Sequence, residues 1–383
     1  MRFTGEHVDY VVIGAGIAGA SVAAELAANG SVLLIERENQ PGYHTTGRSA
    51  ALFSQVYGPD QIRALSRASS RFYQNPPPGF TEHQLVHRRP VALMGRSDQA
   101  DTVHAEFEQV RGRGDVSLIT GNQLREMMPL LREGYAACAL LENDSADIEV
   151  HALHQGYLRQ LRERGGQLRT TSEVLGLSNA NGRWSIETNQ GRSYASTVIN
   201  AAGAWADEIA GLAGTSRVGL VPKRRTALIV DAPEGHADNQ WPMVVDIDEQ
   251  FYLKPDAGKL LLSPADETPS PPCDAQPEEI DIAICIDRVQ QAFDLDVRHI
   301  GNRWAGLRSF VADGVPVVGY AEDVPGFFWL AGQGGYGIQT APAMARVAAA
   351  LIKDDQIPDD IAEEGVDIAK LSPLRRTLIS EVT

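Results

Sequence analysis

The residues with the clearest chemical purpose are Gly14, Gly16 and Gly19, which stand in G-x-G-x-x-G spacing where an apolar run ends. In the dinucleotide-binding reading the first glycine makes the tight turn, the second admits a pyrophosphate to the backbone, and the third lets helix and strand pack closely. Ile17 and Ala18 then lie at the start of a helix-forming stretch, 20–28, whose free N–H groups and positive dipole end face the phosphates. Residues 32–35 read as the second strand, and Glu36 follows directly, with Arg37 beside it. A carboxylate there suits a ribose 2′-hydroxyl and repels a 2′-phosphate, so FAD or NAD fits better than NADP. The alternative is an ordinary βαβ turn with a surface glutamate. A second glycine-rich turn, 332–337, opens the Ala-rich helix expected over 339–352 and aims another helix N-terminus at a ligand, unless it serves only the chain reversal. The small and hydroxylated stretch 43–51 suits a segment running beside a ligand. On residue type alone Arg225 is either a site residue or half of a salt bridge, Arg224 is structural, and Tyr252 is either strand packing or a ligand group.

The elements that must position these groups are legible along the chain. Its 383 residues predict about two domains, and 43% hydrophobic content is that of a soluble globular protein. A net charge of −16 argues against a nucleic-acid surface. Cys138, Cys273 and Cys285 are odd in number and lack C-x-x-C spacing, which disfavours a disulfide framework or a zinc site and favours a reducing compartment. No metal site is expected. The uncharged run 10–24 is too short and too glycine-rich for a membrane span and has no basic flank for a signal peptide, so a cytoplasmic protein without a transmembrane segment is expected. Helices are predicted over 59–73, 101–112, 122–131, 151–164, 205–213 and 280–293. Strands are predicted over 86–94, 135–141, 167–171, 174–177, 184–188, 193–198, 226–230, 243–246, 251–255, 259–263, 315–319 and 327–331. The stretch 264–277 carries five prolines and reads as a mobile loop. The expected fold is α/β combined with α+β: a Rossmann-type domain from 1–83, 147–220 and 301–383, and an inserted mixed-sheet substrate domain from 84–146 and 221–300.

The motifs 14–19 with Glu36-Arg37, 198–205, Trp304 to Arg308 and Gly335-Tyr336-Gly337-Ile338 resemble the D-amino acid oxidase and glycine oxidase superfamily of FAD enzymes. Residues 41–44, 47–51, 222–225, 251–256 and 334–340 are similar to those of bacterial FAD-dependent D-arginine dehydrogenases within it, and the similarity runs essentially end to end. The resemblance implies FAD between the two domains, held by the glycine motif and Glu36-Arg37, by Thr45, Gly47, Arg48, Ser49, Ala50 and Ala51, and by Val174, Ala202, Gly203 and Trp205. Gly306, Arg308, Gly334, Gly335, Tyr336, Gly337 and Ile338 complete that set. It implies oxidation of a D-amino acid to an imino acid that hydrolyses to a 2-oxo acid and ammonia, with the hydride passing from Cα to flavin N5. Arg225 and Arg308 are then expected on the substrate carboxylate with the hydroxyls of Tyr57 and Tyr252, and the Gly335 carbonyl on the amine.

Two departures bear on specificity. The glutamate that meets the substrate guanidinium in the arginine enzymes aligns with Val91, and a histidine over the flavin aligns with Leu52. Burying a guanidinium without a carboxylate costs several kcal/mol, so neutral, apolar or small side chains are expected over D-arginine. Without a side-chain base at 52, activity is expected to rise toward alkaline pH. The same clamp would suit secondary N-alkyl amino acids or 2-hydroxy acids, and a non-catalytic FAD-carrying subunit is a further alternative. The partner is thus a small molecule with a carboxylate and an amine. The electron acceptor, covalent attachment of FAD and the oligomeric state stay open, with a monomer favoured by analogy.

Overall fold

Apolar β-branched residues in the first strand, Glu6–Ile13, and in Val32–Ile35 form a parallel pair at the centre of an eight-stranded sheet. The computed structural model describes residues 6–233 and 238–379. The order across this sheet is Val174–Ala180, Arg183–Thr188, Gly191–Asn200, Glu6–Ile13, Val32–Ile35 and Gln167–Arg169. Phe327–Ala331 adds in parallel beside the end of Gly191–Asn200 and carries Val317–Tyr320 on its outer edge. Val12 and Leu34 point to one face, where helices Ile17–Leu26, Val150–Glu163 and Gly337–Ile352 cover them. Val11, Leu33 and Trp329 point to the other, beneath helix Ala206–Ala213. Burial on both faces is why these strands are continuously apolar.

A second eight-stranded sheet runs in the order Ile300–Phe310, Val221–Asp231, Lys259–Ser263, Tyr252–Asp256, Met243–Asp246, Val91–Gly95, Cys138–Glu142 and Val116–Thr120. Its pairings are antiparallel except for Met243–Asp246 with Val91–Gly95. Strand alternation sorts its residues. Ala92, Val244 and Leu253 pack on one face with Ile282 and Val289 of helix Glu279–Ala292, while Val91, Met243, Val245 and Tyr252 line the other. A third, small sheet has the order Leu52–Phe53, Ala146–Ile148 and Val86–Arg88.

Three expectations change. The single strand at 86–94 is two strands in different sheets, broken at Arg89-Pro90. Pro90 offers no N–H to a ladder, and buried Arg89 turns to Asp147 at 2.7 Å and to the carbonyls of Asn239 and Trp241. Ile300–Phe310 belongs to the second sheet, so a boundary at 301 falls ahead of a strand that pairs along the length of Val221–Asp231. The proline-rich stretch 264–277 is pinned to that same strand: Arg224 N–H donates to the Thr268 carbonyl at 2.8 Å, Ser270 N–H to Pro222 at 2.9 Å, and Thr226 N–H to Asp266 at 2.6 Å. No helix among the described residues is long and apolar enough to cross a membrane. Cys138, Cys273 and Cys285 are free thiols, and no cluster of His, Cys, Asp or Glu among the described residues is arranged to hold a metal.

Candidate active site

The glycine motif lies where the first sheet meets its covering helices. Gly14 has φ +99°, and a Cβ there would stand 2.5 Å from the Ala201 carbonyl oxygen. A Cβ on Gly19 would stand 1.8 Å from the Gly14 oxygen, so Gly19 reaches no cavity and acts in helix–strand packing. Glu36 is locked beside the motif, its carboxylate accepting N–H bonds from Ala15 at 2.8 Å and Glu38 at 3.0 Å. The Thr46 hydroxyl accepts from Ile17 N–H at 2.9 Å. Arg37 stacks over the Trp205 ring at 4.0 Å, and His44 meets Glu38 at 2.9 Å.

A cavity of about 500 Å³ runs from this motif to the second sheet. Gly14, Gly16, Ile17, Ala18, Glu36, Arg37, Thr45, Arg48, Ser49, Ala50, Val174, Ala202, Gly203 and Trp205 line it, with Gly306, Arg308, Gly334, Gly335, Gly337 and Ile338 at its other end. Of the remaining residues expected there, Ala51 and Tyr336 face a smaller adjoining chamber of about 80 Å³ instead. Gly47 lines neither, because it closes a turn in which its N–H donates to the Gly42 carbonyl at 2.7 Å. Tyr57, Leu52 and Val91 line the small chamber with Leu93, Met243 and Val245. Arg225, Tyr252, Arg308 and Gly335 line both spaces, and so do Ser49 and Ala50, so these residues form the junction.

Strand register explains the junction. Lys223 pairs with Arg308 and Arg225 with Gly306 across Val221–Asp231 and Ile300–Phe310, which sets Arg225 and Arg308 diagonally on one face with a glycine opening the space between. Arg224 points the other way, to Asp281 at 2.9 Å and to Glu278, and is structural as expected. Gly335 lies so near the second arginine that a Cβ would be 2.9 Å from Arg308 Nη1. Arg308 forms no ion pair within 4.0 Å among the described residues. Burial works against its charge, but Tyr252, Tyr57 and Glu249 outweigh it and hold its pKa above the usual arginine value.

Two residues of the anticipated carboxylate clamp have partners within the protein. Arg225 Nη2 already donates to Glu267 at 3.1 Å and lies 3.7 Å from Glu249, while its Nε is buried without a partner. The Tyr57 hydroxyl donates to Glu249 at 2.7 Å, because a buried phenol takes the nearest strong acceptor. Burial first, then the charge of Glu249, raises the Tyr57 pKa well above its ordinary value. Glu267 is pushed up by burial but pulled further down by Lys223 and the two arginines. Glu249 and Glu267, like Glu142, Ser54 and Gln339 on the chamber wall, escaped sequence reasoning. Ser54, Glu249 and Gln339 lie close in sequence to Leu52, Tyr252 and Ile338, but the contacts that bring these groups together span distant segments, and no spacing signals them.

Residues 9–351 match the family model described as FAD dependent oxidoreductase. The chain belongs to that family. The flavoenzyme is 24% identical to the "Uncharacterized oxidoreductase YurR" of Bacillus subtilis over 92% of this chain and 97% of that one. It is 22% identical to human mitochondrial dimethylglycine dehydrogenase over 94% of this chain but only 44% of the relative. Among solved structures, glycine oxidase from Geobacillus kaustophilus superimposes with a TM-score of 0.84 at 21% identity, covering 97% of this chain and 99% of that one. The fold is thus a Rossmann-type FAD domain with a substrate domain, and the cofactor is FAD. The large cavity fits it: Gly16 keeps the phosphate side open beside Thr46, and two buried wall atoms, Ser172 Oγ and Gln333 Nε2, have no partner among the described residues. When bound, FAD supplies the two-electron acceptor.

Proposed function

We propose that the protein is an FAD-dependent D-amino acid dehydrogenase acting on compact, neutral side chains, similar in plan to the bacterial D-arginine dehydrogenases but without their preference. The observation that carries this reading is the diagonal pair Arg225 and Arg308, which with Tyr252 lines both the FAD cavity and a small chamber whose wall includes Leu52, Val91, Met243 and Val245 as well as Glu142 and Glu249. A guanidinium fork is matched to a carboxylate. Arg308, with no ion pair of its own, is its main anchor, the Tyr252 hydroxyl a second donor, and the Gly335 carbonyl the acceptor for the amine. Arg225 joins after Glu267 yields its place. Fixing the carboxylate in this way orients Cα toward the FAD cavity, and that positioning is the chain's own contribution to rate. Leu52 provides no base, so the amine must arrive neutral and kcat/KM rises toward alkaline pH.

The family match supports a redox enzyme over a non-catalytic FAD carrier. The likeness to glycine oxidase and to dimethylglycine dehydrogenase supports an amino acid as the reductant, and the second of these favours a further reading, oxidation of N-alkyl amino acids. An anaerobic screen of FAD reduction with D-, L- and N-methyl amino acids, scored together with ammonia release, separates the readings. Reduction by neutral D-amino acids with stoichiometric ammonia is expected. Fastest reduction by L-isomers, by N-alkyl substrates that release an alkylamine, or by D-arginine overturns it.

A further inference from the structure

Glu142 ends strand Cys138–Glu142 and is only 3% exposed, yet no ion pair within 4.0 Å is made by it among the described residues. It stands directly across the ladder from Val91, so both side chains project from the same face into the small chamber. Its partners are neutral: the Ser54 hydroxyl donates to Oε2 at 2.6 Å and Gln55 N–H to Oε1 at 2.9 Å. Each carboxyl oxygen therefore keeps hydrogen-bonding capacity toward the chamber. Close by, Gln339 is 4% exposed and lines the same chamber; its Oε1 accepts from Ser54 N–H at 3.2 Å, while its Nε2 is buried with no partner among the described residues. A buried amide left unpaired is costly and calls for a partner that the described residues do not supply. Glu142 lines the chamber alone, not the FAD cavity, which sets it toward the substrate's side chain and away from the reacting carbon.

The geometry points to Glu142, with Gln339, as a polar recognition site for a hydroxyl or carboxamide on the substrate's side chain, set beside the apolar residues Leu52, Val91, Met243 and Val245 of the chamber wall. This rests on the amino acid reading above and narrows it. The space, about 80 Å³, holds about three water-sized groups, enough for a hydroxyalkyl or carboxamide side chain and too little for a guanidinium on its stem. A hydroxyl or amide N–H donates to Glu142, and the amide or hydroxyl oxygen accepts from Gln339 Nε2. Burial pushes the Glu142 carboxyl up to about 7, against the hydrogen bonds from Ser54 and Gln55 that pull it down. A neutral partner suits a carboxyl so poised better than a permanent cation does.

Isosteric pairs test it in the holoenzyme: threonine against valine, and asparagine against leucine, in the D series and the L series. Kd is read from perturbation of the flavin spectrum and kcat/KM from turnover. The wild type is expected to favour the polar member of each pair at least fivefold, Glu142→Leu to bring the ratio to one or below, and Glu142→Gln to retain a preference of twofold or more. A wild type that favours the hydrocarbon member overturns the inference, as does a Glu142→Leu ratio equal to that of the wild type, or tightest binding of lysine or arginine. The wild-type comparison needs no variant to fold. If the polar members perturb the flavin spectrum more tightly but no amino acid reduces FAD, recognition by Glu142 stands and the oxidation chemistry is what fails.

Discussion

At the residue scale, the site contains two arginines of unequal availability. Arg225 is engaged by Glu267, whereas Arg308 faces the junction with no carboxylate within 4.0 Å among the described residues. Charge-assisted hydrogen bonds contribute about 1.5–3 kcal/mol each, and 1.4 kcal/mol is about a tenfold change. Arg308→Met is therefore expected to lower kcat/KM at least about 100-fold, with KM rising and FAD content unchanged; a variant within about threefold of wild type would remove Arg308 from the clamp. Glu142 makes a second residue-scale prediction, this time on stability. Burial lifts its pKa from 4.5 to about 7 in the folded chain. Between those values the unfolded chain gives up the proton while the folded chain keeps it, so this group's contribution is full below about pH 4.5 and lost as pH rises through about 7. At about 1.36 kcal/mol per unit the loss is on the order of 3 kcal/mol. Glu142→Gln has no such loss. Its melting temperature relative to wild type is expected to be higher at pH 8 than at pH 5, and an equal difference at both would show that the carboxyl is not held protonated.

At the scale of elements, the proline-rich stretch 264–277 is part of the site because Glu267 reaches Lys223 at 2.8 Å and Arg225 at 3.1 Å. In the proposed clamp a substrate carboxylate competes with it for Arg225. Glu267 is partly exposed, so the effect is modest: Glu267→Gln is expected to tighten binding of a simple carboxylate competitor such as benzoate about threefold to tenfold, measured by flavin difference spectra, and weaker binding would mean that Glu267 serves the site by holding Arg225 in place. How far such features can be read from sequence depends on their range. Gly14, Gly16, Gly19 and Glu36 were legible because one strand, one turn and one helix contain the whole argument. The contrasting fates of Arg224 and Arg225 also follow from strand alternation once Val221–Asp231 is known to be a strand. Ile300–Phe310 was not assigned, since its run of Gly301, Asn302, Arg303, Gly306 and Arg308 hides the period-two pattern. Glu142 with Ser54, and Tyr57 with Glu249, meet across 88 and 192 residues, and no local pattern encodes a contact of that kind.

At the scale of the whole molecule, the FAD cavity is built from both large sheets. Gly14, Glu36 and Ala202 belong to loops at the carboxyl ends of the first sheet, and Arg225, Tyr252 and Gly306 to strands of the second. A ligand filling such a cavity would form a third layer between two sheets that each have their own apolar core. A cofactor that binds the folded chain alone stabilises it by mass action, about 2.7 kcal/mol at a free concentration one hundred times its Kd. FAD removal is therefore expected to lower the calorimetric melting temperature by several degrees, and titrating FAD back should restore it in a concentration-dependent way. The same titration locates the cofactor. If FAD bridged the sheets, the apoprotein would melt over a broader transition, because the second sheet with helix Glu279–Ala292 would lose part of its tie to the first. If FAD were held by the first sheet alone, its removal would leave the breadth unchanged. Glu36→Ala, which removes the acceptor of Ala15 N–H and the carboxylate facing the cavity, is expected to reproduce the apoprotein's lower melting temperature at limiting FAD and to approach wild type at saturation; a deficit that persists at saturating FAD would assign Glu36 to folding and not to the cofactor.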